Sequence, residues 1–308
     1  MGPEPHAATR HPMRDWADLS VLVVVWGSSF ALTKVAVGEV APVWVVAWRV
    51  LLATAVLIPV LLISGGGLSR RPRDWAGFAW LAFVGTVAPF WLISWGTQYI
   101  SSSLAGVLMA AVPLVVIVMA AALLKDEPLT VRKGIGFVAG FAGVVVLIGP
   151  GALLSFDAGN MQLLGALAVV SASLGYASQA VTVRLMRPMA GLERATGMIV
   201  ASSAMALPLA LVTAPDGYAA ERAETLASLA LLGIFPTAIA GIVLFPLIAS
   251  AGAGFTALTN YLVPAFALAV GVTFLGEHFT TMDFAGFAMV LAGITVARPR
   301  HRPGGARS

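Results

Sequence analysis

The sequence predicts an all-α integral membrane protein whose ten transmembrane helices form two inverted five-helix repeats. Three observations carry this. Of the 308 residues 59% are hydrophobic and 10% charged, with a mean hydropathy of +0.93, whereas a typical soluble domain carries about 25% charged residues. Apolar stretches recur along the whole chain, each close to the ~20 residues a helix needs to cross the hydrocarbon. The stretch from Ser102 to Gly143 occurs twice: Pro113, Glu127, Gly136 and Gly143 return as Pro264, Glu277, Gly286 and Gly293, with glycines nine and sixteen residues after each Glu. The Pro-to-Glu spacings are 14 and 13, and Gly85-Thr86 and Pro236-Thr237 precede their prolines by the same 28 and 27 residues. A repeat this long, built from apolar segments, marks a duplicated membrane bundle.

Taken in order, residues 1–15 are rich in Pro, His and Arg, lack apolar periodicity and are expected to be a cytoplasmic tail. They are not read as a cleavable signal, because the apolar segment after them is long enough to span and further spans follow. Breaking the chain at charged and Gly/Pro-rich stretches gives spans at 16–37, 43–63, 75–96, 102–124, 132–149, 162–184, 195–213, 225–249, 254–275 and 282–298. The first repeat is therefore expected over 16–150 and the second over 162–298, with a basic cytoplasmic tail at 299–308. The very short breaks at 38–42 and 250–253 imply antiparallel neighbours.

Positive residues are retained in cytoplasmic loops. With the N-terminus inside, Arg10, Arg14, Arg70, Arg71, Arg73, Lys125, Arg132, Lys133, Arg184, Arg187, Arg194, Arg298, Arg300, Arg302 and Arg307 all fall inside, and the outer loops hold only Arg222. Both termini are thus expected in the cytoplasm. Five spans per repeat is an odd number, so the second repeat must lie upside down relative to the first, with a substrate site near the midplane between them. Spreading the positive charge over membrane-facing loops also removes nucleic acid as a partner of this basic chain, whose pI is 9.8.

Lys34 and Arg49 are the two cations inside spans, and an intramembrane charge is a functional candidate by default. Each also has a plainer reading, Lys34 snorkelling outward and Arg49 tying helices through carbonyls. Pro113 and Pro264 each remove a helical hydrogen bond and expose a carbonyl, making them hinge or gate candidates or simple packing kinks. Trp26, Ser28, Ser29, Thr86, Trp91, Trp95, Tyr176, Gln179, Thr237, Asn260 and Tyr261 are polar or amphipathic side chains within spans, hence candidate cavity residues. Serines often bond their own helix and Trp91 and Trp95 fit an interfacial aromatic belt, whereas the amides of Gln179 and Asn260 demand partners in hydrocarbon. Gly134, Gly136, Gly140 and Gly143 form a small-residue ridge for close helix packing. Glu127 and Glu277 are read as structural turn residues at helix ends.

No cysteine, no His cluster, no Gly-x-Ser-x-Gly and no carboxylate in the middle of a span occurs, so neither a catalytic constellation, a metal site nor a cofactor is expected. The missing carboxylate also speaks against proton or sodium coupling and for a facilitator. Partners are then a small-molecule substrate and the lipid bilayer, with monomer and homodimer both open.

The ordered set Trp26-Gly27-Ser28-Ser29-Phe30 with Lys34, Pro42 with Arg49, Pro113 with Glu127-Pro128-Leu129, Asn260-Tyr261-Leu262-Val263-Pro264 and Gly276-Glu277 resembles the drug/metabolite transporter superfamily, specifically its ten-helix EamA-like members. The resemblance covers about residues 19 to 297. It departs at Lys125-Asp126-Glu127, where family members usually place Gly before the Glu. The resemblance implies a multi-pass carrier of the bacterial inner membrane, often exporting amino acids or other small metabolites. The expected function is therefore export of a small amphipathic metabolite such as an amino acid by alternating access. Alternatives are a proton-coupled multidrug or other metabolite transporter, and a receptor or assembly subunit that transports nothing.

Overall fold

The computed structural model describes residues 12–124, 127–149 and 159–297. The expectations for residues 1–11, for Lys125-Asp126 and for the tail 299–308 lie outside these. All regular structure among the described residues is helical: α1 Pro12–Ala36, α2 Pro42–Ile63, α3 Pro72–Gly96, α4 Ser102–Leu123, α5 Val131–Ile148, α6 Met161–Leu185, α7 Gly191–Thr213, α8 Ala223–Gly252, α9 Gly254–Leu275 and α10 Thr281–Ala297. Nine are long and apolar enough to span a bilayer and α10 has 17 residues, about 25 Å at 1.5 Å per residue. The first helix starts at Pro12, one turn before the expected 16, and α7 starts at Gly191 where 195 was expected.

Local chemistry sets the ends. Pro42 and Pro72 open α2 and α3, where the missing N–H is one that no helical carbonyl would have met. Ser101, Thr130 and Asn160 accept from the amides of Leu104, Lys133 and Leu163 and cap α4, α5 and α6. Gly276 closes α9 with φ +63°, a left-handed conformation that favours glycine. Two helices are interrupted by π turns at matching places, Phe83–Val87 in α3 and Ile234–Ile239 in α8. These hold the Gly85-Thr86 and Pro236-Thr237 pairs of the repeat, and Pro89 and Pro236, which lack an N–H, sit at these breaks.

The packing obeys an exchange of repeats. Helix α1 packs on α8 and α9 as α6 packs on α3 and α4, and α2 packs on α8 as α7 packs on α3. The pairs α2–α7, α4–α9 and α5–α10 each map onto themselves. Consecutive helices alternate in direction, so corresponding helices run oppositely and the pseudo-two-fold axis lies across the bundle. One end carries Arg70, Arg71, Arg73, Lys133, Arg184 and Arg187, the basic face; the other carries Arg222.

The tightest seam is α5 against α10, and the repeat glycines form it. A Cβ on Gly143 would stand 2.6 Å from the Gly286 carbonyl oxygen, and one on Gly136 would stand 2.6 Å from that of Gly293. Backbone cannot yield as a flexible side chain can. Gly134 meets nothing within 4 Å and takes no part. Gly143→Ala is expected to lower unfolding free energy by about 1–3 kcal/mol in SDS titration of the purified protein, with Gly134→Ala unchanged or slightly more stable. Equal midpoints for wild type and Gly143→Ala would mean the seam is looser than described.

Candidate functional site

Between the repeats lies a cavity of about 410 Å³, walled by α1, α2, α3, α4, α6, α7, α8 and α9. Its partly exposed liners Val183, Arg194, Leu244 and Phe245 sit in the halves of their helices nearest the basic face, while Thr33 and Ile93, toward the other face, are buried. The cavity therefore opens toward the basic face and has its floor toward the opposite one.

The α8 π turn builds the polar wall. Its widened backbone lets the Thr237 hydroxyl donate to the Leu232 carbonyl at 2.9 Å and accept from Arg49 Nε at 2.7 Å. Trp26 Nε1 donates to the Pro236 carbonyl at 3.2 Å, meeting an acceptor that the irregular turn leaves available. Arg49 is 9% exposed, with its guanidinium 3.7 Å over the Phe90 ring centroid. Cation–π attraction strengthens when water is removed. Among the described residues no carboxylate pairs with Arg49, and no Asp or Glu lines the cavity.

The α3 π turn is the unlike twin. Met198 stands eight residues into α7, as Arg49 stands eight into α2. Gln179 Nε2 lies 3.1 Å from the Met198 sulfur, and Gln179 packs where a Cβ on Gly85 would go. Thr86 is 1% exposed, with no partner for its hydroxyl among the described residues. One wall of the cavity is thus cationic and the other soft and amide-bearing.

Of the residues singled out in the sequence, the cavity brings together Trp26, Ser29, Arg49, Thr86, Tyr176, Gln179, Thr237, Asn260 and Pro264. Lys34, Trp91, Trp95, Tyr261 and Pro113 lie elsewhere. Lys34 Nζ donates to the Thr97 and Ile100 carbonyls at 2.7 and 2.9 Å, where α3 ends. Trp91 is 41% exposed on the bundle's outer surface and stacks on Trp95. Tyr261 packs on the α3–α4–α5 side of the core, and Val112, not Pro113, faces the cavity. Sequence reasoning missed Phe90, Met198 and Arg194. Arg194 lies one residue before the span expected from 195, but α7 starts at Gly191 and carries it in its first turn.

The two glutamates differ. Glu277 reaches from its turn to the start of α4 in the other repeat, accepting from the Ser102 amide at 2.6 Å, the Ser103 amide at 2.8 Å and the Ser103 hydroxyl at 2.6 Å. It satisfies N–H groups that the helix cannot, near the positive end of its dipole. Glu127 instead accepts from Arg184 at 2.8 Å and Lys133 at 3.2 Å, and among the described residues it has no bond to the corresponding start of α9. Both turns are thus tied to the other repeat, Glu277 to the start of α4 and Glu127 to Arg184 of α6, and only the helix-start link is lacking on the basic face among the described residues.

The EamA-like transporter family matches residues 16–149 and again 163–298. The chain belongs to that family. Similar proteins include a transporter of unassigned substrate from Archaeoglobus fulgidus, 24% identical over 92% of this chain and 98% of its own. A protein from Streptantibioticus cattleyicolor named "Probable terminal-alkyne amino-acid exporter" is 28% identical over 92% and 93%. A WAT1-related chloroplast protein of Arabidopsis thaliana is 26% identical over 91% of this chain and 68% of its own. A solved crystal structure, 20% identical, aligns with a TM-score of 0.65 over 92% of this chain and 96% of its own, which shows a shared fold.

Burial raises the Glu277 carboxyl, but hydrogen bonds from Ser103 and Ser102 outweigh it and leave the group below its usual value. A depressed folded value means that the stabilisation is present above the unfolded pKa, about 4.3, and is lost as pH falls through the folded value. Glu277→Gln is expected to melt below wild type at pH 7, with the gap closing below about pH 4. Parallel melting curves across that range would refute the clamp.

Proposed function

We propose that the protein is a bacterial inner-membrane carrier that exports small amphipathic metabolites bearing a carboxylate, amino acids foremost, by alternating access. The observation that carries this is Arg49: a guanidinium buried beside Phe90, in a cavity between two inverted repeats, with no carboxylate opposite it among the described residues. Keeping a cation there is costly unless an anion visits, and the largely apolar remainder of the wall, with Met198, Ile199, Leu244 and Phe245, suits an apolar side chain. Asn260 and Gln179 offer amide oxygens to an ammonium group. The name of the Streptantibioticus cattleyicolor relative agrees with an amino acid as cargo. By the positive-inside rule the basic face is cytoplasmic, so the cavity is open to substrate from within, as loading for export requires. A Glu277 turn held on the start of α4, with the Glu127 turn held by Arg184 and Lys133 instead of the start of α9, fits an inward-facing state whose switch would exchange the two helix-start links. A cation-exporting multidrug carrier is disfavoured, since a buried carboxylate would be needed to hold the cation.

Two experiments test this. In proteoliposomes screened with labelled amino acids, Arg49→Gln is expected to weaken transport of the carboxylate form by about 10- to 150-fold, the value of a charge-assisted hydrogen bond, and to spare the matching amide. Well-folded Arg49→Gln protein that moves both at wild-type rates would sink the assignment. For orientation, the chain lacks cysteine, so a single cysteine at Asp216 should react with an impermeant reagent added to intact cells and one at Arg187 should not. The reverse pattern would invert the topology and the direction of loading.

A further inference from the structure

We propose that Arg194 is a second anion-recognising residue of this transport path, capturing the substrate's carboxylate at the mouth of the cavity before it descends to Arg49. The inference rests on the carboxylate-carrier reading above and adds a specificity-determining residue to it. Arg194 lines the same cavity as Arg49, in the first turn of α7 and at the open end. Its side chain has no hydrogen bond or ion pair among the described residues, and its Nε is fully shielded with nothing to donate to. The arginines around it are differently engaged: Arg184 is paired with Glu127 and Arg187 with Asp74. Glu193 is adjacent in sequence yet makes no ion pair with it. The surrounding wall, Ala195, Val183 and Phe245, is apolar. A shielded donor without an acceptor is unfavourable and calls for a ligand or solvent that completes it.

The depths decide how the two arginines act. Arg49 lies seven residues below the start of α2 at the far face and Arg194 three residues above the start of α7 at the basic face. At 1.5 Å per residue, in helices about 33 Å long, they stand roughly 18 Å apart along the bundle. Helical side chains slant toward their own N-termini, here away from each other, so a single carboxylate is not held by both at once. The pair therefore works in sequence, Arg194 raising the local concentration of anions at the entrance and Arg49 holding the carboxylate at the floor. Because no acid lines the cavity among the described residues, the passage between them favours anionic and zwitterionic solutes over bare cations.

The absence of native cysteine makes the test direct. Arg194→Cys protein is labelled in detergent with a cationic trimethylammonium-ethyl or an anionic sulfonatoethyl methanethiosulfonate, reconstituted, and assayed with radiolabelled L-phenylalanine and L-phenylalaninamide offered to the basic face. The unlabelled variant is expected to raise KM for L-phenylalanine by about 10-fold with kcat little changed and the amide unaffected. The cationic label and Arg194→Lys should restore KM, and the anionic label should raise it further. Labels of either charge acting alike, or a KM unmoved in a well-folded variant, overturn the assignment. If Arg49→Gln abolishes carboxylate preference while Arg194→Cys does not, the carrier reading stands and the entrance role falls. If wild-type protein moves none of the twenty amino acids, both fall.

Discussion

No water is available in hydrocarbon to bond a free N–H or C=O, and that constraint shapes everything in this protein. It makes every described crossing a helix, and it confines broken backbone to places where protein or a wet cavity can answer for it. The α3 and α8 π turns are the clearest result. Each frees a backbone group in mid-bundle, and each lies on the central cavity, where Trp26 meets the Pro236 carbonyl and the Thr237 hydroxyl meets Leu232 and Arg49. The site exists because the fold must concentrate its irregularities in one place.

Duplication placed two such turns face to face, and divergence made them unlike. Arg49 and Thr237 form the polar half, while Met198 and the Thr86 hydroxyl, without a partner among the described residues, form the other. The same relation holds at the ends. Glu39 on the α1–α2 connection bonds Arg222 before α8, and on the basic face Arg187 on the α6–α7 connection bonds Asp74 at the start of α3. The junction is the same, with the charges exchanged. These two links are present at both faces in the one structure. The Glu277 and Glu127 links do not match: one carboxylate takes backbone amides of α4 and the other takes Arg184 and Lys133.

Close packing supplies the rest. In lipid the apolar effect gives helices little reason to associate, so contact area and small residues must do so. The α5–α10 seam meets this with glycines whose spacing was set once and copied. Each repeat contributes the surface that its inverted twin needs, which explains why the glycine positions recur with the Glu turn as one unit.

How much was legible follows from the physics of each signal. Hydropathy and charge act along one dimension, so the sequence alone determined ten spans to within a few residues, the duplication, the family and the candidacy of Arg49 from its position within a span. Which way a side chain faces is different. In a soluble helix polar residues mark the outside, but here lipid and core are both apolar, so rotation about the helix axis leaves almost no trace in the pattern. Trp91 and Trp26 look alike as letters, yet one faces outward and the other bonds a cavity carbonyl. Lys34 and Arg49 look alike as buried cations, yet one is consumed by the carbonyls ending α3 and the other lies on the cavity wall against Thr237 and Phe90. Arg194 was hidden by the same one-dimensional rule that located the loops. Only the tertiary structure decided these, because the partners that settle each side chain's role come from helices more than 60 residues away in the chain, such as Thr97 for Lys34 and Thr237 for Arg49.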